Sequence, residues 1–415
     1  MFKNKWWIVF ASTLALIVGS GPINLFAAGV FIKPIAKEFG FGRGQISTAI
    51  GLANLVMAIC MPFLGRLYDR RGIRGVLLPT IVLYALATAA FATLQPSYAM
   101  LLILYAVQGF FGTVQGPTAY SKIISAHFDT QRGLALGIAL AGTGLGTVLI
   151  PQFATFLLRN FGWRAGYLGL AVAIMVLAFL PVLVILRDTG SAGAAKLATA
   201  AAALLPGDTF SEAVRMWRYW ALLITFFFAT IAVNGSIVHI IPLLTDRGMS
   251  LTAAVAALSA SGMALIGGRL LAGYLMDKLY APYIGMFFLL MPMAGLAILI
   301  SGAGGAAPVL GTICLGLGVG AEIDLMSYII TVYFGVKSFG SLHGLMFAFA
   351  LLANAIGASI LGWTFQLKHT YTPAFLGYEV LLLIGIILFS RLGAYRYPPR
   401  KRDATTTVGE PAVAS

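Results

Sequence analysis

The chain has 415 residues, of which 60% are hydrophobic and only 10% charged, and its mean hydropathy is +0.94. So little polar surface excludes a soluble globule of this length and marks a polytopic membrane protein. The formal net charge of +14 would suggest nucleic acid in a soluble domain, but here the positive residues sit between apolar runs, so no nucleic-acid partner is expected.

A spanning helix needs about 20 mostly apolar residues. The first run starts at Trp6, after Lys3 and Lys5. It is too long for a removable signal peptide and lacks a small-residue cleavage pattern, so it is expected to remain as helix 1. In chain order the apolar runs number twelve, near 6–32, 45–65, 76–95, 98–121, 133–158, 165–186, 218–244, 251–276, 282–303, 307–334, 339–366 and 373–395. The longest polar interruption runs from Arg187 to Arg218 and includes an Ala-rich piece, Ala194 to Ala203, then Pro206-Gly207-Asp208. Such a stretch reads as a linker. The expected organisation is a six-helix bundle over 1–187, a cytoplasmic loop over 188–217, a second six-helix bundle over 218–396, and a tail over 397–415 with no apolar period, expected to be disordered. The fold class is an all-α membrane protein of twelve transmembrane helices in two pseudo-symmetric halves. Cys60 and Cys314 each lie inside an apolar run with no metal-ligand spacing and read as small packing residues.

Charge sets the orientation. Of the 27 lysines and arginines, 19 fall on the side of the N-terminus, the even-numbered turns and the C-terminus; 7 fall on the other, and Arg269 lies within a span. That asymmetry predicts both termini in the cytoplasm.

Arg269 stands in Gly268-Arg269-Leu270-Leu271-Ala272-Gly273-Tyr274-Leu275-Met276-Asp277-Lys278, about 12 Å along helix 8 from its polar end. A charged centre at that depth is costly and is functional by default. The stretch has an earlier echo, Gly65-Arg66-Leu67-Tyr68-Asp69-Arg70-Arg71-Gly72, which repeats the Gly, Leu and Asp spacing 208 residues upstream. The chain is therefore two related halves, but the position of Arg269 is Met61 in the first.

These features resemble the major facilitator superfamily: two six-helix halves, a Gly-x-Leu-x-Asp-Arg turn after helix 2 with an echo after helix 8, and a long central loop. Transporters of that superfamily rock their halves about a site near the midplane. More narrowly, Gly29-Val30-Phe31-Ile32-Lys33-Pro34-Ile35-Ala36-Lys37-Glu38-Phe39-Gly40 is similar to the monocarboxylate transporter and oxalate/formate antiporter branch. So are Arg132-Gly133-Leu134-Ala135 running into Gly142-Thr143-Gly144-Leu145-Gly146 and Pro151, then Gly162-Trp163-Arg164, and the helix 8 arginine itself. The resemblance implies a transporter of the bacterial cytoplasmic (inner) membrane, monomeric, with no cofactor. Its partners would be a small organic anion, a proton and the lipid bilayer. No Gly-x-x-x-x-Gly-Lys-Ser/Thr loop occurs, so ATP drive is not expected.

Guanidinium stays charged and offers a planar fork that matches a carboxylate with two parallel hydrogen bonds. Arg269 resembles the substrate-binding arginine of that branch; the competing account is a structural or snorkelling arginine. Helix 10 carries Glu322 and Asp324 at nearly the same depth. Two residues apart is about 200° on a helix, so both cannot face one partner. Burial favours the neutral carboxyl and a nearby arginine the charged one, so either residue suits proton coupling, with a structural ion pair between helices 8 and 10 as the alternative. The branch usually places its proton-linked aspartate four residues before the arginine, and here that position is Leu265. The oxalate/formate type also has a helix 11 lysine, where this chain has Ala350 or a near neighbour. One arginine suits one carboxylate, which favours monocarboxylates.

Polar residues in apolar spans complete the candidate substrate site: Asn24, Gln115, Tyr120, Asn234, Tyr328 and Asn354, with Phe31 from the motif after helix 1. In the superfamily helices 1, 4, 7 and 10 line the cavity, which raises Tyr120, Asn234 and Tyr328. His239 is a further proton-coupling candidate because histidine titrates near neutral pH; its alternative is a neutral, hydrogen-bonded side chain. Asp69, Arg70, Asp277 and Lys278 at the polar helix ends are expected as gate contacts. Small residues in helix 5 (Gly137, Ala141, Gly142, Gly144, Gly146) and helix 11 (Ala353, Gly357) suit close helix approach. An enzyme would want clustered His, Asp or Cys, and the four histidines are scattered. A proton-driven drug exporter normally needs a carboxylate inside the first half, and helices 1 to 6 have none; a transport-dead sensor is the remaining alternative.

Overall fold

The computed structural model describes residues 5–71, 73–128, 131–185, 206–276 and 278–397, without some side chains near the ends of helices 2, 4 and 5. Eleven described stretches are long and apolar enough to cross a bilayer, and one of them, Leu134–Ile185, holds helices 5 and 6 in succession. They part at Gly162, whose φ of 84° and ψ of 170° break the helical run Arg132–Ile174. Only glycine adopts that backbone freely. The two limbs fold back on each other, so that a Cβ on Gly169 would meet Leu157 Cδ1 at 2.2 Å.

The spans otherwise follow the apolar runs, numbered as above: helix 2 (Arg43–Arg71), helix 3 (Ile73–Ala89), helix 7 (Trp217–Asp246), helix 8 (Leu251–Met276), helix 9 (Ala281–Ser301), helix 10 (Ala307–Phe334), helix 11 (Phe339–Lys368) and helix 12 (Thr372–Ser390). Two spans are broken where glycine meets proline. Helix 1 runs Trp6–Ile17, yields at Val18-Gly19, passes through a π-helical piece at Pro22–Ala27, and resumes as Ala28–Phe39. Helix 4 runs Tyr98–Gly112, tightens to a 3₁₀ turn at Thr113–Gln115, extends at Gly116 and restarts as Pro117–His127. Proline is tolerated at a first helical turn because the donor it lacks has no intrahelical partner there.

Helix pairing repeats with an offset of six. Helix 1 packs on 5, 2 on 4 and 3 on 6; likewise 7 packs on 11, 8 on 10 and 9 on 12. The molecule is thus two six-helix bundles of the same internal plan. Between the bundles, helix 2 packs on 11, 5 on 8, and 1 on 7. Small residues permit these approaches. A Cβ on Gly142 or Gly146 would meet helix 1 carbonyls at 2.3 and 2.2 Å, one on Gly144 would meet Ile266 at 2.5 Å, and one on Gly357 would meet Ile231 O at 2.3 Å. Gly137 differs from the expectation for it, because an added Cβ there meets nothing within 4 Å.

Both ends of the described chain lie on one face, called the terminal face below. There the second half closes on itself. Asp208 N donates to Phe334 O (2.8 Å) and Val336 N to Pro206 O (3.0 Å), while Arg396 Nη1 (3.0 Å) and Tyr397 OH (3.1 Å) donate to the Asp208 carboxylate. A short helix, Phe210–Arg215, follows with a capping box in which Thr209 and Glu212 exchange hydrogen bonds. Those bonds from Thr209 hold the Glu212 carboxyl below its ordinary range.

Candidate substrate site

Helices 8 and 10 approach closely because glycines face backbone. A Cβ on Gly268 would lie 2.6 Å from Leu317 O, one on Gly316 2.1 Å from Ser261 O, and one on Gly320 2.1 Å from Leu265 O. The contact sets Arg269 beside Asp324, with Nε 2.9 Å from Oδ2 and side chains 26% and 32% exposed. The N–H does not point at that oxygen, so this is a charge contact rather than an aligned hydrogen bond. Among the described residues, the two terminal amino groups of Arg269 meet no other protein acceptor.

Glu322 turns to helix 7. Its Oε1 is met by the Thr230 hydroxyl, and Oε2 lies 3.4 Å from Asn234 Nδ2. Thr230 Oγ1 also lies 2.8 Å from Phe226 O, one turn back on its own helix. Behind Glu322 is an apolar crevice lined by Phe226, Val233, Phe288, Pro292 and Phe389.

Arg269 and Glu322 open on one cavity of about 180 Å³ between the two bundles. Asn24, Gln115, Asn234 and Asn354 line it, as do Ser20, Asn54, Thr113, Thr118, Thr143, Thr147 and Thr230. Of its described lining residues, only Arg269 and Glu322 carry a titratable side chain. The first-half wall is therefore neutral, made where helices 1 and 4 break. Asn24 accepts from Tyr84 OH (3.2 Å), and Gln115 Oε1 accepts from Tyr120 OH (3.1 Å), which leaves the Gln115 amide nitrogen without a partner. Thr143 Oγ1, Asn234 Oδ1 and Asn354 Oδ1 are likewise buried and unpartnered. Buried polar groups normally find partners. Four orphans around one cavity therefore suit a polar occupant.

Other expected site residues lie elsewhere. Phe31 is buried inside the first half, stacked on Tyr167 with ring centroids 4.3 Å apart. Tyr120 sits behind the wall and orients Gln115; Tyr328 is partly buried on helix 10 and does not line the cavity. His239 is fully buried toward the face opposite the termini, with Nε2 3.1 Å from Ser47 Oγ and 3.0 Å from Ala358 O, and Nδ1 3.3 Å from Tyr371 OH. Lys278 lies over the ring of Tyr274, 4.1 Å from its centroid, and donates to its hydroxyl. Asp277 and the side chains of Asp69 and Arg70 lie outside the described residues.

Two groups went unremarked in the sequence. Thr230 precedes Asn234 by four residues and so shares its helix face, a signal that was available. The other is Asp246, at the end of helix 7, which joins the two halves on the face opposite the termini. It takes Lys33 Nζ at 2.7 Å and both arms of Arg43, with Nη2–Oδ1 at 2.9 Å. Arg43 also donates to Tyr371 OH (2.8 Å) and lies over the Phe365 ring at 3.8 Å.

A cavity with one fixed cation, enclosed by two bundles that meet through glycine-lined contacts, defines a membrane transporter rather than an enzyme. The chain belongs to the Major Facilitator Superfamily, whose family model matches residues 14–358. It is 25% identical over 400 residues to monocarboxylate transporter 11 of Homo sapiens, covering 92% of this chain and 82% of that one. It is 26% identical to the uncharacterized transporter YcxA of Bacillus subtilis, covering 88% and 90% of the two chains. Among solved structures, a bacterial homologue of the human lysosomal transporter Spinster matches with a TM-score of 0.70 at 15% identity, over 93% of this chain and 96% of that one. That likeness shows the fold.

Proposed function

We propose that the chain is a secondary active transporter of small organic anions, a proton-coupled monocarboxylate symporter working by alternating access. Arg269 receives the substrate carboxylate. The observation that carries this reading is the guanidinium fork in the central cavity, whose two terminal amino groups take no protein acceptor among the described residues. The likeness to monocarboxylate transporter 11 of Homo sapiens supports the substrate class. Asn234, Asn354, Gln115 and Asn24 complete the site, and the helix 10 carboxylates handle the proton. Residues 1–187 and 218–396 act as the two rocking bodies, with residues 206–217 of the loop 188–217 held on the second, and with the terminal face in the cytoplasm of a bacterial inner membrane. The charged turns at Asp69, Arg70, Asp277 and Lys278 close that face when the opposite one opens.

Purified protein in proteoliposomes tests the reading with radiolabelled acetate, lactate, benzoate and oxalate, each with and without an inward proton gradient. Accumulation of a monocarboxylate only under the gradient is the expected result. Uptake that needs a preloaded internal anion makes the protein an exchanger instead, and uptake of none of the four removes the carboxylate reading.

A further inference from the structure

We infer that the coupled proton rides on Glu322, while Asp324 stays charged as the counter-ion of Arg269. This rests on the proton-coupled reading above and separates two carboxylates that the sequence left equivalent.

The inference follows from counting hydrogens around Thr230. A hydroxyl has one hydrogen to donate. Thr230 Oγ1 is within hydrogen-bond distance of Phe226 O, at 2.8 Å, and of Glu322 Oε1. A backbone carbonyl only accepts, and so does an ionised carboxylate, so the single Thr230 hydrogen cannot serve both contacts at once. The second contact then lacks a hydrogen unless Glu322 supplies it, with Oε1–H donating to Thr230 Oγ1. Oε2 remains the acceptor for Asn234 Nδ2 at 3.4 Å. Both contacts are satisfied only with a proton on Glu322.

The surroundings agree from each side. Helix 7 offers Glu322 only neutral partners, and the crevice behind it presents Phe288 and Pro292 from helix 9 and Phe389 from helix 12. Among the described lining residues the one cation is Arg269, and it is already met by Asp324. Asp324, unlike Glu322, has a guanidinium nitrogen at 2.9 Å and is not a lining residue of the cavity.

The arrangement also supplies the coupling. With Glu322 ionised, two carboxylates stand against one guanidinium charge and the site carries a net negative charge, which repels an anion. A proton taken from cavity water brings the site to zero, and the substrate carboxylate then takes the free arms of Arg269 while Asp324 stays on Nε. On the other face the anion leaves and Glu322 returns its proton to water.

Two measurements on the full-length protein test this. Infrared spectroscopy without substrate should show a neutral, hydrogen-bonded carboxylic acid band that disappears in Glu322→Gln and persists in Asp324→Asn. A band unchanged in Glu322→Gln overturns the proposal, and this readout needs no transport. Lactate and benzoate binding across pH is the second. For wild type the apparent Kd should rise up to about ten-fold per pH unit toward alkaline pH, as linkage of one proton requires. Glu322→Gln should flatten that slope and Asp324→Asn should keep it. A slope kept by Glu322→Gln and lost in Asp324→Asn reverses the assignment. If wild type binds neither acid while the infrared result holds, the carboxylate reading fails and the position of the proton stands.

Discussion

Within the cavity, one guanidinium serves two anions in turn. Asp324 neutralises Arg269 through Nε and leaves the paired terminal nitrogens for a ligand. Lysine would keep the charge but not the fork, since an ammonium is a compact point charge. Arg269→Lys should therefore cut monocarboxylate uptake about a hundred-fold, the loss of one charge-assisted hydrogen bond at about 1.5–3 kcal/mol, while leaving the amount of folded protein in detergent near wild type. Uptake at the wild-type rate would remove Arg269 from the site. The intramembrane charges were legible because each interrupts an apolar helix. Which carboxylate meets Arg269 was not: the rule of about 200° excluded a shared partner but did not say which residue faces helix 8. Phe31 shows the opposite limit. Its motif sits beside the cavity in sequence, yet the ring turns inward to Tyr167, a direction set by packing.

Helices 8 and 10 form an element whose geometry depends on residues without side chains. Gly316 and Gly320 are one turn apart, and each faces a helix 8 carbonyl too near to admit a methyl group. Gly320→Ala must push the helices apart, and overpacking of this kind costs about 1–3 kcal/mol. The variant should melt several degrees below wild type and bind anions more weakly, because Asp324 loses its register with Arg269. Gly137→Ala in helix 5 is the control, since its added methyl group meets nothing within 4 Å. It should match wild type in both measurements, and an equal loss there would remove the steric account. At this scale the apolar runs gave every span, with ends off by up to seven residues where helices 1, 2 and 4 run on past the apolar stretch. The breaks in helices 1 and 4 were also written in the sequence, as Gly19-Ser20-Gly21-Pro22 and Gly116-Pro117, but hydropathy alone treats each span as one rod.

Across the whole molecule, the two bundles are joined on the face opposite the termini by Asp246 with Lys33 and Arg43, and by His239 with Ser47. Removing that charge should favour separation there. Asp246→Asn is expected to raise labelling of a cysteine placed at Thr48 by a membrane-impermeant thiol reagent about five-fold, which corresponds to a shift of about 1 kcal/mol between the two states. Labelling no faster than in the parent cysteine variant would show that other contacts hold this face. The partnership was not legible, because Arg43 and Asp246 lie 203 residues apart and in sequence read only as charges at helix ends. At the other face, the clasp of Asp208 to Arg396, Tyr397 and helix 10 makes the start of the second half move as one piece with its end. Whatever moves the end of helix 12 on that face therefore moves Pro206 and the Phe210–Arg215 helix with it.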